Sequence, residues 1–75
     1  EEMFRMADVQ TLESLIGKLP LVQQEVVHLR FYEGLSFKEI SDVTNVSINT
    51  ALGRIRYATL NLRKMITENS LELAV

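Results

Sequence analysis

Residues 34–54, GLSFKEISDVTNVSINTALGR, contain two helix starts with a tight turn between them. The first start is the SFKE of residues 36–39, a capping box. Its serine hydroxyl accepts a hydrogen bond from the glutamate amide, and the glutamate carboxylate accepts one from the serine amide. The second start is Ser47, a favourable N-cap residue ahead of a long segment with apolar residues at helical spacing. Asn45, between the two starts, is the type of non-glycine residue that tolerates a positive φ. A short helix, a tight turn and a long helix form a helix-turn-helix, and the small Ser41 suits a close helix crossing before the turn.

The rest of the chain predicts two further helices and no strand. A first helix covers roughly residues 8–18, and Pro20 suits the first turn of a second helix. Gly34 can close that second helix in the left-handed conformation, and the fourth helix runs to about Glu68. The apolar positions of the second helix are Val22, Val26, Val27, Leu29 and Phe31. The predicted fold is therefore all-α, a small four-helix domain that contains a helix-turn-helix and no sheet.

Length and composition indicate one small globular domain. The 75 residues leave no room for a second core, and 47% of them are hydrophobic. We assign residues 1–75 to a single domain, with its core at about 9–67 and a tail at 68–75 whose apolar residues either pack on a neighbour or are disordered. The abrupt start at Glu1 indicates a fragment of a longer protein. No apolar run resembles a membrane span, and the absence of cysteine fits a reducing compartment, so we expect a cytoplasmic protein without membrane contact.

The distribution of charge indicates nucleic-acid binding more clearly than the net charge of −2 does. Acidic residues predominate in residues 1–42, whereas residues 43–67 contain no Asp or Glu. A long stretch with only positive charge is a local footprint for an anionic partner. The cations of this stretch are Arg54, Arg56, Arg63 and Lys64.

The fourth helix divides into two predicted faces at about 100° per residue. The core side comprises Ile48, Leu52, Ile55, Thr59, Leu62 and Ile66, with Ala51 and Ala58 at its margin. The opposite side comprises Thr50, Gly53, Arg54, Tyr57, Asn61 and Lys64, with Asn49 and Arg56 on one flank. In a helix-turn-helix the N-terminal end of the second helix enters the major groove, so the earlier residues are the better candidates for reading bases.

A polar face on an amphipathic helix is often only solvated, and this alternative stays open. Gly53 argues against it, because glycine inside a helix is less favourable than alanine by about 1 kcal/mol. Its presence suggests that DNA or another helix approaches this surface closely.

The order and spacing of these motifs resemble the C-terminal domain of bacterial sigma-70 family factors, and most closely the small extracytoplasmic-function (ECF) type. The resemblance covers about residues 9–66. It is carried by Leu19-Pro20, the EVV-x-LR of residues 25–30, the EGLSFKEI of residues 33–40, the VSINT of residues 46–50 and the RIRYA of residues 54–58.

This resemblance implies a winged-helix-like, region 4 type domain that binds the −35 promoter element and docks on the β flap of the RNA polymerase core. It also implies that an anti-sigma factor can mask the domain. The residues expected to face double-stranded promoter DNA are Ser47, Asn49, Thr50, Gly53, Arg54 and Tyr57, with Arg56 beside them and Lys38 near a phosphate. The chain departs from the family at Leu52 and Tyr57, where a basic residue is common, so the family's sequence preference does not transfer.

Nothing in the sequence indicates an enzyme, a cofactor or a metal site. His28 is the single histidine and has no cysteine or clustered carboxylates to complete a metal site, so we expect it partly exposed on the second helix. The serines have no base to activate them, and no glycine-rich phosphate loop occurs. Met3, Met6 and Met65 are more simply explained as core or interface residues than as part of a cofactor site.

Two alternative functions remain at this point. One is the DNA-binding effector domain of a response regulator, which has a similar four-helix arrangement and usually dimerises through its last helix. The other is a helical protein-interaction module whose free face binds a protein helix. Binding of duplex DNA that weakens with added salt would distinguish the two DNA-binding hypotheses, the sigma-factor domain and the effector domain, from the interaction module.

Overall fold

The computed structural model describes the backbone of residues 9–74 and the side chains of residues 10–68. The roles expected of Met3, Met6 and the side chains of the C-terminal tail lie outside this range. Among the described residues none belongs to a strand, which confirms the all-α fold. Any similarity to winged-helix domains is therefore limited to the helices of those domains. The helices are α1 (Val9–Ile16), α2 (Leu21–Val27), α3 (Phe37–Thr44) and α4 (Ile48–Ala74).

The connection between α1 and α2 is closed by backbone and glutamine hydrogen bonds. The amides of Lys18 and Leu19 each donate at 3.0 Å to carbonyls of the last turn of α1. Pro20 is the N-cap of α2, with φ −53°, and its carbonyl accepts from the amides of Gln23 and Gln24 at 2.9 and 3.0 Å. The side-chain amide of Gln24 also donates to the Leu19 carbonyl at 2.7 Å. Pro20 thus begins the second helix where the sequence predicts.

The end of α2 widens into a π-helix over His28–Tyr32. The amide of Glu33 donates to the His28 carbonyl at 3.1 Å, and that of Leu35 reaches the Leu29 carbonyl at 3.0 Å. Gly34 lies between them at φ 71°, in the left-handed region. The prediction that Gly34 closes the helix is confirmed, whereas the sequence did not predict the π-helical turn.

The buried residues form two clusters that share α4. We call them the α1 cluster and the α3 cluster. The α1 cluster joins α1, α2 and the middle of α4, and the α3 cluster joins α2, α3 and the start of α4. The α1 cluster consists of Leu15, Leu19, Val27, Ala58, Leu62 and Ile66. The α3 cluster consists of Val26, Leu29, Ile40, Ala51 and Ile55.

The buried side of α4 differs from the predicted one. Ala51 and Ala58 have no exposed surface and lie at its centre, not at its margin. Ile48, predicted to be buried, is 44% exposed, and Leu52 and Thr59 are only half-buried. The contact of α4 with the rest of the domain is therefore turned toward the two alanines, whose small side chains suit close helix packing.

The second and fourth helices also differ from what their sequences indicate. On α2, Val22 is 47% exposed, and Phe31 in the π-helical turn is 37% exposed, so these two apolar positions of the second helix do not share the burial of Val26 and Val27. The fourth helix continues to Ala74 and does not end near Glu68. No helix in the portion of the chain that the structure describes is both long and apolar enough to cross a membrane.

Candidate nucleic-acid interface

The turn between α3 and α4 is held in place by Ser41. Asn45 adopts the left-handed conformation with φ 59° and ψ 43°, which confirms the predicted tight bend. The Ser41 carbonyl accepts from the Val46 amide at 3.1 Å, and the Ser41 hydroxyl donates to the Val46 carbonyl. Both backbone polar groups of Val46 are therefore bonded to one residue of α3. The small size of Ser41 predicted a close helix crossing before the turn, but its hydrogen bonds emerge only from the structure.

Hydrogen bonds cap the start of both helices of the motif. The Glu39 amide donates to the Ser36 hydroxyl at 3.1 Å, and the Ser36 amide donates to the Glu39 carboxylate at 2.9 Å. The predicted capping box is confirmed, and hydrogen bonding of the carboxylate, first to the Ser36 amide and second to the Ser36 hydroxyl, lowers the pKa of Glu39. At α4 the Thr50 amide donates to the Ser47 hydroxyl at 3.1 Å, so Ser47 is the predicted cap. Its hydroxyl donates in turn to that of Thr50 at 2.9 Å.

The predicted DNA-facing residues of α4 are accessible from solvent at its N-terminal end. Ser47, Asn49, Thr50 and Arg56 are exposed, and Tyr57 is 63% exposed. Arg54 and Gly53 are half-buried. These residues extend from the N-cap of α4 to its tenth residue, and the free amides of the helix start can also attract a phosphate.

The cations of this surface differ in their partners. Lys38 is exposed on α3, and its Nζ lies 3.9 Å from a carboxylate oxygen of Asp42, one helical turn away. Such an exposed ion pair is weak and leaves the ammonium accessible to another anion. Among the described residues, Arg54 and Arg56 have no carboxylate within ion-pair distance. Both guanidinium groups are therefore available to an anionic partner.

Gly53 has no role in packing the domain itself. Apart from its chain neighbours and the adjacent backbone of its own helix, a β-carbon at this position meets no atom within 4 Å among the described residues. The close approach expected from the sequence is therefore not made by a neighbouring helix of the same chain. The space beside Gly53 is open to a partner.

Asn61, predicted to lie on the free face, belongs instead to the contact between α4 and α2. It is half-buried, and its side-chain amide donates to the Gln23 side-chain carbonyl at 2.9 Å. The two residues are 38 positions apart, so periodicity within α4 gave no sign of this bond. Lys64, the other late residue of the predicted face, is exposed.

Arg30 is a structural residue whose role the sequence does not predict. Its guanidinium donates to the Leu35 carbonyl at 2.9 Å and lies over the Phe37 ring, 4.6 Å from the centroid. This cation–π contact joins the end of α2 to the start of α3. Arg30 therefore positions the first helix of the helix-turn-helix and is half-buried while doing so.

An apolar groove with acidic residues along its edge lies on α1 and α2, and it contains none of the predicted DNA contacts. Leu21, 81% exposed, and Tyr32, 51% exposed, give it apolar surface, and the sequence reasoning did not predict it. One available signal was the position of Leu21, which at about 100° per residue lies nearly opposite the buried Val26 and Val27. The groove is lined by Glu13, Ile16, Leu21, Gln24, Glu25, His28, Leu29 and Tyr32.

His28 lies at this groove and is partly exposed, as predicted. Its side chain is 62% exposed, with Nε2 3.1 Å from a carboxylate oxygen of Glu33. Its ring stacks on Tyr32 with the centroids 5.6 Å apart. The described residues contain no group of three or more His, Cys, Asp or Glu side chains that could hold a metal ion.

Comparison with known proteins identifies the family. The family model for sigma-70, region 4, matches residues 9–56, from the first residue of α1 to Arg56 in α4. No curated protein matches the chain, and no solved structure does. The match spans more than half of the 75 residues and includes α3, the turn and the first nine residues of α4. This chain therefore belongs to the sigma-70 region 4 family, whose members are DNA-binding regions of sigma factors.

Proposed function

We propose that this chain recognises the −35 element of promoters as part of an ECF-type sigma factor and helps to recruit the RNA polymerase core. One observation carries the proposal: the N-terminal end of α4 follows a left-handed turn at Asn45 and exposes polar and cationic groups without a carboxylate. That is the end of the second helix that enters a major groove in a helix-turn-helix. Membership of the sigma-70 region 4 family, a family of DNA-binding regions, supports this assignment.

The side chains of this surface suit different parts of a duplex. The side-chain amide of Asn49 can pair with an adenine edge. The guanidinium group of Arg54 can donate hydrogen bonds to two acceptors of guanine. The remaining groups suit the phosphates, because hydroxyl, phenol and ammonium groups and the amides of a helix start bind the DNA backbone without reading its sequence. In this assignment the phosphate contacts are Lys38, Ser47, Thr50, Arg56 and Tyr57, and Gly53 lets the DNA approach the helix.

Recruitment of the polymerase core forms the second half of the proposal and follows from the family. The groove on α1 and α2 supports it, because Leu21 and Tyr32 expose apolar surface on elements that contribute no predicted DNA contact. A β-flap segment bound there leaves α4 free for the promoter. An anti-sigma factor that covers either surface would block initiation. The proposed role puts the protein in the bacterial cytoplasm, where promoters are.

The test is duplex binding measured by fluorescence anisotropy at increasing salt. The probe is the duplex that the chain enriches most from a pool with a randomised central sequence. We expect the affinity to fall linearly with salt on logarithmic axes, by a slope of about 0.9 for each phosphate neutralised. Absence of salt-dependent binding, in the chain alone and with polymerase core added, contradicts the proposal and favours the protein-interaction module. A dimer on DNA formed through α4 favours the response-regulator class.

Arg54→Ala distinguishes reading of bases from general attraction. If Arg54 bonds a guanine edge, the variant loses about 1–3 kcal/mol on the enriched duplex and much less on a scrambled one. The matched control is Lys18→Ala, which removes one exposed cation between α1 and α2, away from the predicted interface. Equal weakening on both duplexes assigns Arg54 to a phosphate, and no weakening on either removes it from the interface.

A further inference from the structure

Ile48 is an exposed aliphatic residue at the start of α4. It is the first residue of that helix and is 44% exposed, although its spacing predicts a core position. The residues on either side, Ser47 and Asn49, are also exposed. An isoleucine therefore lies at the very start of α4, between two residues that the proposed function assigns to DNA.

Helical geometry extends this apolar surface along one side of α4. Ile48 and Leu52 are one turn apart and lie on the same side of the helix. Leu52 is half-buried, so part of its side chain also remains accessible. Asn49 and Gly53, each one residue after Ile48 and Leu52, form a second row of side-chain positions beside them. The accessible end of α4 thus combines an aliphatic line with a line of polar and small residues.

Exposure alone does not mark a functional apolar residue, since single hydrophobic residues are normal on protein surfaces. Leu60, 50% exposed on the same helix, has no such context, because it lies about 18 Å further along α4. Val43, 63% exposed, belongs to α3. Ile48 differs from both because it lies at the end of the second helix, where side chains reach base edges.

We propose that Ile48 is a specificity-determining residue that packs against the C5-methyl group of a thymine in the major groove. This inference rests on the proposed function. Among the groups that a base pair presents in the major groove, the thymine methyl is the apolar one, and aliphatic side chains read it by contact. The contact removes apolar surface of Ile48 from water and distinguishes thymine from the other bases.

The test replaces each thymine of the enriched duplex, one at a time, by deoxyuridine, which lacks only the methyl group. Binding of each duplex is measured by anisotropy for the wild-type chain, Ile48→Ala and Leu60→Ala. For one thymine we expect deoxyuridine to weaken wild-type binding about fourfold, the value for one apolar carbon removed from a contact. Ile48→Ala is expected to bind the thymine and deoxyuridine forms of that duplex equally, whereas Leu60→Ala responds as the wild type does.

The outcomes separate this inference from the proposed function. If the chain binds a duplex in a salt-dependent manner but Ile48→Ala keeps the full response to every deoxyuridine, the inference is wrong and the proposed function stands. An enriched site without thymine overturns it too, and failure to enrich any duplex overturns both. Thermal unfolding followed by circular dichroism verifies that Ile48→Ala is folded, as expected for an exposed side chain.

Discussion

The two halves of the domain both pack residues that are distant in the chain against α4, but their side-chain hydrogen bonds differ in range. Around the α3 cluster, the helix-turn-helix is shaped by short-range hydrogen bonds of Ser36, Ser41 and Ser47, each to a residue three to five positions away. Around the α1 cluster, packing joins residues far apart in the chain, and the Gln23–Asn61 bond spans 38 positions. The comparison shows that the reading surface is locally encoded, whereas the support beneath it depends on the complete fold.

The largest expected effects come from truncating one fully buried residue in each half. Leu62→Ala in the α1 cluster and Ile40→Ala in the α3 cluster each remove a side chain with no exposed surface. Both variants should lower the free energy of unfolding by about 2–5 kcal/mol. Urea unfolding is expected to show a single transition with the wild-type m-value in both, because α4 belongs to both clusters. Two separate transitions would show that the halves unfold independently.

Asn45 tests the local encoding of the turn. Asn45→Ala places a side chain that disfavours the left-handed region at φ 59°, so we expect a loss of about 1 kcal/mol. Asn45→Gly is the matched control, because glycine adopts this conformation without steric strain. Thermal unfolding of both variants measures the difference. If alanine and glycine are equally tolerated, the turn is determined by packing and not by the residue at position 45.

Gly53 separates stability from DNA binding within α4. Gly53→Ala should stabilise the domain by about 1 kcal/mol, because alanine is the better helix former and its β-carbon meets nothing within 4 Å apart from its chain neighbours and the adjacent backbone of its own helix. The same methyl group should weaken duplex binding if DNA approaches the helix here. Denaturant unfolding and anisotropy on the same samples give both quantities. Gly17→Ala, beyond the end of α1, serves as the control for binding, and an unchanged affinity in Gly53→Ala would contradict the close approach.

The smallest expected effect is the acid sensitivity of the α3 cap. Because its bonds to Ser36 lower the pKa of Glu39 in the folded state, the unfolded chain binds more protons at Glu39 on acidification. The stabilisation by Glu39 is fully present above the unfolded pKa of about 4.3 and is lost as the pH falls through the lower folded value.

Glu39→Gln keeps an acceptor for the Ser36 amide but does not titrate. The wild type should therefore melt at a higher temperature than Glu39→Gln. This difference should be greatest near neutral pH and should shrink below pH 4. A difference that stays constant from pH 7 to pH 3 would show that the carboxylate charge contributes nothing to the cap.

The parts of the site that the sequence predicted correctly involve contacts within one or two helical turns. The capping box of residues 36–39, the bend at Asn45 and the cap at Ser47 follow from residue types at fixed short spacing. The errors lie along α4, where a wheel centred on its large apolar residues placed Ile48 in the core and Asn61 outside it. In the structure Ile48, the first residue of α4, is 44% exposed, and Asn61 is half-buried and bonded to Gln23 of α2.

Sequence alone determined the all-α class, the helix-turn-helix and the acid-free stretch that surrounds the start of α4, because each depends on neighbours along the chain. Only the tertiary structure decided which side of α4 is buried, how Arg30 joins α2 to α3 and where the groove beside Leu21 lies. These features depend on how closely separate helices approach, and that distance is set by side chains distant in sequence.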